Sequence, residues 1–156
     1  FLAKVLHFPL QAGAVARLTD MGVEPFLIAS SLIATTAQRL LRRICPHCRK
    51  ECEIPKEVLN RLPAEFGSYL KGTVAYKGTG CPQCKNTGYR GRLGAMEVLV
   101  VDEDIRQLII ENVSSDVVDQ LARKKGMRTL FESALSGFKE GQTTLEEVLR
   151  VTMVSD

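Results

Sequence analysis

The chain has 156 residues, of which 45% are hydrophobic and 25% charged, with 6% aromatic residues and no tryptophan. This is the composition of a globular protein with an aliphatic core, long enough for one ordinary domain or two or three small ones. The formal charge of +3 hides an asymmetry: residues 1–96 carry 14 Lys/Arg against 6 Asp/Glu, and residues 97–156 carry 7 against 12. Charges so divided can attract each other, a neighbouring subunit or a polyanion. The most apolar run, PFLIASSLIATTA at 25–37, is too short and too rich in Ser and Thr to span a bilayer. Five cysteines, an odd number, argue against a secreted disulfide framework and for a reducing compartment.

In chain order, FLAKVLHF opens without Met or a basic leader and reads as a strand in the interior of a longer protein. AGAVARLTDMG at 12–22 has helical spacing and stops at Gly22, a C-terminal cap. A second helix is expected from Pro25, in its first turn, through to Ile44, with Phe26, Ile28, Ala29, Leu32 and Ile33 beginning its apolar stripe. Arg39, Arg42 and Arg43 then fall in its last turns, where cations suit the helix dipole. Between 45 and 97 proline and glycine punctuate short segments. PKEVLNRL reads as a short helix, and TVAYKGTG and GRLGAMEVLVV as short strands. So thin a core calls for a staple. Beyond 102 the pattern is helical: Asp102 caps one helix, Ser114 or Ser115 the next, RTLFESALSGFKEG forms a third, and Thr144 with Glu147 makes a capping box for the last. These four helices are expected to form a small bundle or a helical cap on something larger, and to stay largely intact if the 45–97 segment unfolds.

Cys45-Pro-His-Cys48 and Cys81-Pro-Gln-Cys84 carry the chemistry. A two-residue gap lets one tight turn present two thiolates to one ion, and the residues between the pairs suffice to fold one turn back onto the other. Four thiolates around Zn²⁺ make a closed structural site. Arg43, Arg49, Lys50 and Lys85 beside the turns offset its negative charge, and folding and metal binding should be coupled. The same residues leave two alternatives open, an iron–sulfur cluster and two unrelated thiol pairs. Cys52 has no counterpart near the second pair, and the His47 ring would have to point away from the ion, so neither is counted as a ligand. With no open position and no Glu placed as a general base, a catalytic zinc is not expected.

The segments AGAVARLTDMGVEPFLIASSLIATTAQRLLRRICPHC, GTGCPQCKNTGYRGRLGAMEVLVVDEDIRQLI and GMRTLFESALSGFKEGQTTLEEVLRVT resemble, in order and spacing, the C-terminal portion of the hexameric secretion ATPases that drive type II secretion and type IV pilus assembly. The resemblance implies an α+β chain. Residues 1–44 would be the tail of a RecA-like α/β core, 45–97 a tetracysteine zinc-binding domain holding the metal on Cys45, Cys48, Cys81 and Cys84, and 98–156 a C-terminal helical subdomain. It further implies ATP and Mg²⁺ bound in the full-length parent only, a homo-hexamer, and a cytoplasmic location peripheral to a bacterial inner membrane. The implied partners are an inner-membrane platform and cytoplasmic secretion or pilus components. His7 keeps the register of the family's histidine box, six residues before Gly13, with Phe8 and Pro9 where the family has a hydroxyl and an amide. Arg39 falls where relatives approach the nucleotide and the subunit boundary. No G-x-x-x-x-G-K-[ST] loop occurs in these residues, so this stretch alone is expected to be inactive as an ATPase.

Two other functions compete with this motor part. One is a stand-alone zinc-ribbon module whose acid-free stretch 66–96 binds nucleic acid or protein. Only Tyr69, Tyr76 and Tyr89 could stack on bases there, and the acidic C-terminal residues oppose a polyanion. The other is a non-catalytic remnant or paralogue of the ATPase, suggested by Phe8 and Pro9.

Overall fold

The computed structural model describes residues 12–62, 66, 67, 70 and 72–153, so His7 and the strand expected at 1–8 lie outside it. Its elements are α1 (Ala12–Asp20), α2 (Pro25–Ser31), β1 (Ala34–Ile44), β2 (Arg49–Cys52), α3 (Lys56–Leu59), β3 (Ala75–Gly78), β4 (Tyr89–Val100), α4 (Glu103–Ile110), α5 (Ser115–Lys124), α6 (Leu130–Lys139) and α7 (Leu145–Thr152). The class is α+β. β1 pairs with β4 in one two-stranded sheet, and β2 pairs antiparallel with β3 in another.

Helix α1 stops as its sequence dictates. Gly22 adopts φ of +85°. Its N–H donates to the Thr19 carbonyl at 2.8 Å, and the Val23 N–H reaches back to Leu18 at 3.1 Å, so two terminal carbonyls are satisfied. Helix α2 starts at Pro25 as expected but does not continue to Ile44. It ends at Ser31, Leu32 is already extended, and the chain from Ala34 to Ile44 is a strand. Thr35 and Thr36 are β-branched and favour that choice, and pairing with β4 supplies the backbone bonds that a longer helix would have made internally. Arg39, Arg42 and Arg43 therefore lie on a strand and complement no helix dipole.

The chain divides into two compact units, each made of two separate stretches. The first joins residues up to Gln38 with Met96–Leu130. In it α2 packs on α4 and α1 on α5, around a core that includes Ile28, Leu32, Leu99, Ile105 and Val118. Asp102 caps α4, accepting from the Ile105 N–H at 3.0 Å. It also accepts from Lys125 Nζ at 2.6 Å, a bond that holds its carboxyl below the usual range. Glu97, 3% exposed, accepts from the Leu130 N–H at 2.8 Å at the start of α6.

The second unit joins Arg39–Ala95 with Phe131 onward, and so contains both cysteine turns, the β2–β3 ribbon, α7 and nearly all of α6. Leu135 and Phe138 on α6 and Leu145, Val148 and Leu149 on α7 are buried, at helical spacing. Of the four C-terminal helices, α4 and α5 pack with α1 and α2, whereas α6 and α7 share a unit with the cysteines. Caps mark where a helix begins, but they do not say which surface its apolar stripe will meet. Among the described residues no helix is long and apolar enough to cross a membrane.

Candidate metal centre

β1 ends at Ile44 and delivers Cys45 directly into the first turn, where the Cys48 N–H donates to the Cys45 carbonyl at 3.3 Å. β2 then leads away and β3 returns. Thr79 closes the ribbon, its N–H and Oγ1 both donating to the Cys48 carbonyl, at 3.0 and 3.2 Å. The second turn is a single 3₁₀ turn at Pro82–Cys84. Lys85 and Asn86 follow it with φ of 52° and 61°, reversing the chain towards β4. A tie runs between the two turns: the Cys45 N–H donates to the Gly88 carbonyl at 2.9 Å.

This geometry brings the four predicted sulfurs together. Those of Cys45, Cys48, Cys81 and Cys84 all lie within 4.8 Å of one another. Cys45 and Cys81 are 3.8 Å apart, Cys48 and Cys84 3.9 Å, and Cys81 and Cys84 3.7 Å. Thiolates about 2.3 Å from a tetrahedral zinc stand about 3.8 Å apart along each edge of the tetrahedron. The donor set and spacing therefore fit one four-coordinate ion. An iron–sulfur cluster, which spreads its thiolates over separate irons, needs them further apart. Two unrelated thiol pairs would have no reason to converge.

Backbone N–H groups supply the electrostatics. Cys84 Sγ accepts from the Cys81 N–H at 3.2 Å and from the Gly88 N–H at 3.3 Å. Burial pushes the Cys84 thiol up, but these bonds and the adjoining thiols outweigh it and bring its pKa down to about 6. Burial pushes Cys48 up to about 11. A divalent cation entering such a site displaces protons, and its affinity falls with acid. Of the basic residues beside the turns, Arg49 holds its guanidinium 3.8 Å over the Tyr76 ring.

Cys52 ends β2 opposite Ala75, outside the sulfur group, and its partly buried thiol is pushed up by burial. His47 is exposed in the first turn. Arg39 is half-buried in β1, six residues before Cys45. What the sequence reading missed is Glu147. Thr144 Oγ1 does accept from its N–H at 3.4 Å, yet the Glu147 carboxylate does not return to cap Thr144. It receives the Arg42 N–H at 3.0 Å and guanidinium bonds from Arg42 at 2.6 Å and from Arg150 at 2.8 and 2.7 Å. The capping box is thus half formed, and its acid serves the strand leading into the first cysteine turn. The Thr-x-x-Glu spacing was the only signal available.

Comparison with known proteins gives the family. Residues 3–150 match the family model described as "Type II/IV secretion system protein". The Type IV pilus assembly ATPase PilB of Thermus thermophilus is 45% identical over 148 residues, which are 95% of this chain and 16% of the relative. The Type II secretion system protein HxcR of Pseudomonas aeruginosa is 42% identical over 147 residues, 94% of this chain and 27% of the relative. The Type II secretion system ATPase E of Vibrio cholerae is 40% identical over 150 residues, 96% and 29% respectively. The chain belongs to the type II/IV secretion system protein family. It spans less than a third of the length of these relatives.

Proposed function

We propose that these residues are the C-terminal part of a hexameric ATPase that powers protein secretion or pilus assembly, and that Cys45, Cys48, Cys81 and Cys84 hold a structural Zn²⁺ within it. The observation that carries this reading is a family match over nearly the whole chain, coinciding with four sulfurs at the spacing of one tetrahedral ion. In this reading 1–44 closes the RecA-like core, 45–97 is the metal-binding domain and 98–156 is helical, with α6 and α7 sharing the compact unit of the cysteines. His7 and Arg39 belong to the nucleotide end of the parent. ATP and Mg²⁺ bind there, and the zinc part converts turnover into movement of an inner-membrane platform from the cytoplasmic face.

Charge supports a contact role for the metal-binding part. Lys50 lies directly opposite Lys77 across the β2–β3 ribbon, both exposed, and like charges so placed repel. Lys85 and Arg92 are exposed nearby in sequence. An acidic segment of a partner would relieve the repulsion, and Glu51 and Glu53 close by favour a discrete carboxylate over a continuous polyanion such as nucleic acid. The test is the ATPase rate of the full-length protein with and without its membrane partner. Stimulation that is lost when Lys50 and Lys77 become Glu supports the reading. A full-length protein that does not hydrolyse ATP with its partner present would instead make it a non-catalytic paralogue.

A further inference from the structure

Glu147 lies 63 positions beyond the last cysteine of the site, yet its carboxylate accepts four hydrogen bonds, two of them from Arg42 on the strand that leads into the first cysteine turn. It is 1% exposed, and four N–H donors from Arg42 and Arg150 converge on its two oxygens. The segment leading to it grips the same strand. Thr143 Oγ1 donates to the Arg42 carbonyl at 2.8 Å, and the Ile44 N–H donates to the Gln142 carbonyl at 2.8 Å. Residues 42 and 44 are therefore fixed from outside the metal site, immediately before Cys45.

The other turn is reached from the same place. The Arg42 guanidinium, oriented by Glu147, lies 4.4 Å over the ring of Tyr89, and the Tyr89 hydroxyl bonds Thr144 Oγ1 at 3.1 Å. Tyr89 follows Gly88, whose N–H donates to Cys84 Sγ and whose carbonyl accepts from the Cys45 N–H. Both strands that carry the cysteine turns thus meet one buried carboxylate and its two threonine neighbours.

We propose that Glu147 is a positioning residue for the metal centre: through Arg42 it sets where β1 delivers Cys45 against the second turn. Its loss weakens metal binding while the four sulfur ligands stay the same. The proposal rests on the metal reading above. A plain structural role, in which Glu147 only docks α7, would lower stability without touching the ion's affinity.

The test uses the purified protein loaded with Co²⁺ or Zn²⁺ and titrated with a chromophoric chelator, at a temperature where every variant remains folded. Glu147→Gln is expected to lower metal affinity roughly tenfold, the lower end of what outer-shell partners supply. The cobalt–thiolate absorption bands should keep their positions, because the ligands are unchanged. Leu149→Ala removes a buried side chain from the same helix that takes no part in the bonds between Glu147, Arg42 and Arg150, and should keep wild-type affinity. If Glu147→Gln fails to fold, Thr143→Val, which deletes the hydroxyl bond to the Arg42 carbonyl, should weaken binding in the same direction by a smaller factor. Unchanged affinity in the folded Glu147 or Thr143 variant overturns the proposal, as does an equal loss in Leu149→Ala. A wild-type protein that binds no ion fails one step earlier, at the metal reading itself.

Discussion

Gly88 and Gly78 approach each other backbone to backbone. A side chain built on Gly88, whose φ is +76°, would stand 2.5 Å from the Gly78 carbonyl oxygen. That closeness lets the turn after the second cysteine pair sit against the end of the β2–β3 ribbon. Gly88→Ala should therefore lose its metal and about 1–3 kcal/mol of stability, through overpacking and a disfavoured backbone angle. Urea unfolding combined with metal analysis reads both effects, and a variant with full metal content and an unchanged midpoint would contradict the close approach.

Metal analysis of the wild-type chain should give one zinc per molecule. Stripping it with a strong chelator at neutral pH should lower the unfolding temperature, and the sulfurs should take up protons, because thiolates left without a cation become thiols. Retention of the full unfolding temperature without metal would mean that the sulfurs are packed but not a staple.

Replacing Cys45 and Cys81 together by Ser should expose amides to hydrogen exchange on both sides of the site in sequence. Because α6 and α7 share the unit of the cysteines, protection should fall in 39–62, 72–95 and 131–153, while α4 and α5 retain theirs. Loss confined to the segment between the cysteine turns would mean that the terminal helices stand without the ion.

Acid should reach Glu147 only well below the usual carboxylate range. Burial pushes its pKa up, but the bonds from Arg150 and Arg42 outweigh that and hold it at about 2, below the unfolded value of about 4.3. Its contribution is fully present above the unfolded value and is lost as pH falls through the folded one. Arg42 and Arg150 are 55% and 54% exposed and regain water when the acid is removed, so the cost at neutral pH should be about 1–3 kcal/mol. The urea-unfolding gap between wild type and Glu147→Gln should hold from about pH 7 to 5 and close between about pH 4 and 2. A gap persisting at pH 2 would assign the loss to shape and not to charge.

Much of this was legible in residue order because it is local. The cysteine spacing names its chemistry, Gly22 and Asp102 mark helix ends, and the short helix after Pro55 and the strands at 75–78 and 89–100 follow from composition and turn residues. The failures share a cause. In 25–44 an apolar run satisfied the helical period as well as the extended one, and the decision came from β4, more than forty residues away. The half-formed capping box failed in the same way: Thr144 and Glu147 read as partners until Arg42, 105 positions earlier, took the carboxylate. Which surface a helix buries is likewise a property of the assembled chain.

Among the described residues β1 and β4 form a sheet of two strands, a kind of pairing that is marginal alone and prone to sliding. At one end of that ladder stand Cys45, the residue after β1, and Cys84, five residues before β4 begins. A slip of one residue would carry Cys45 about 3.3 Å along and swing its sulfur to the opposite face. An ion held by these sulfurs would act as an alignment pin, admitting one of the many ways in which two strands can be laid side by side.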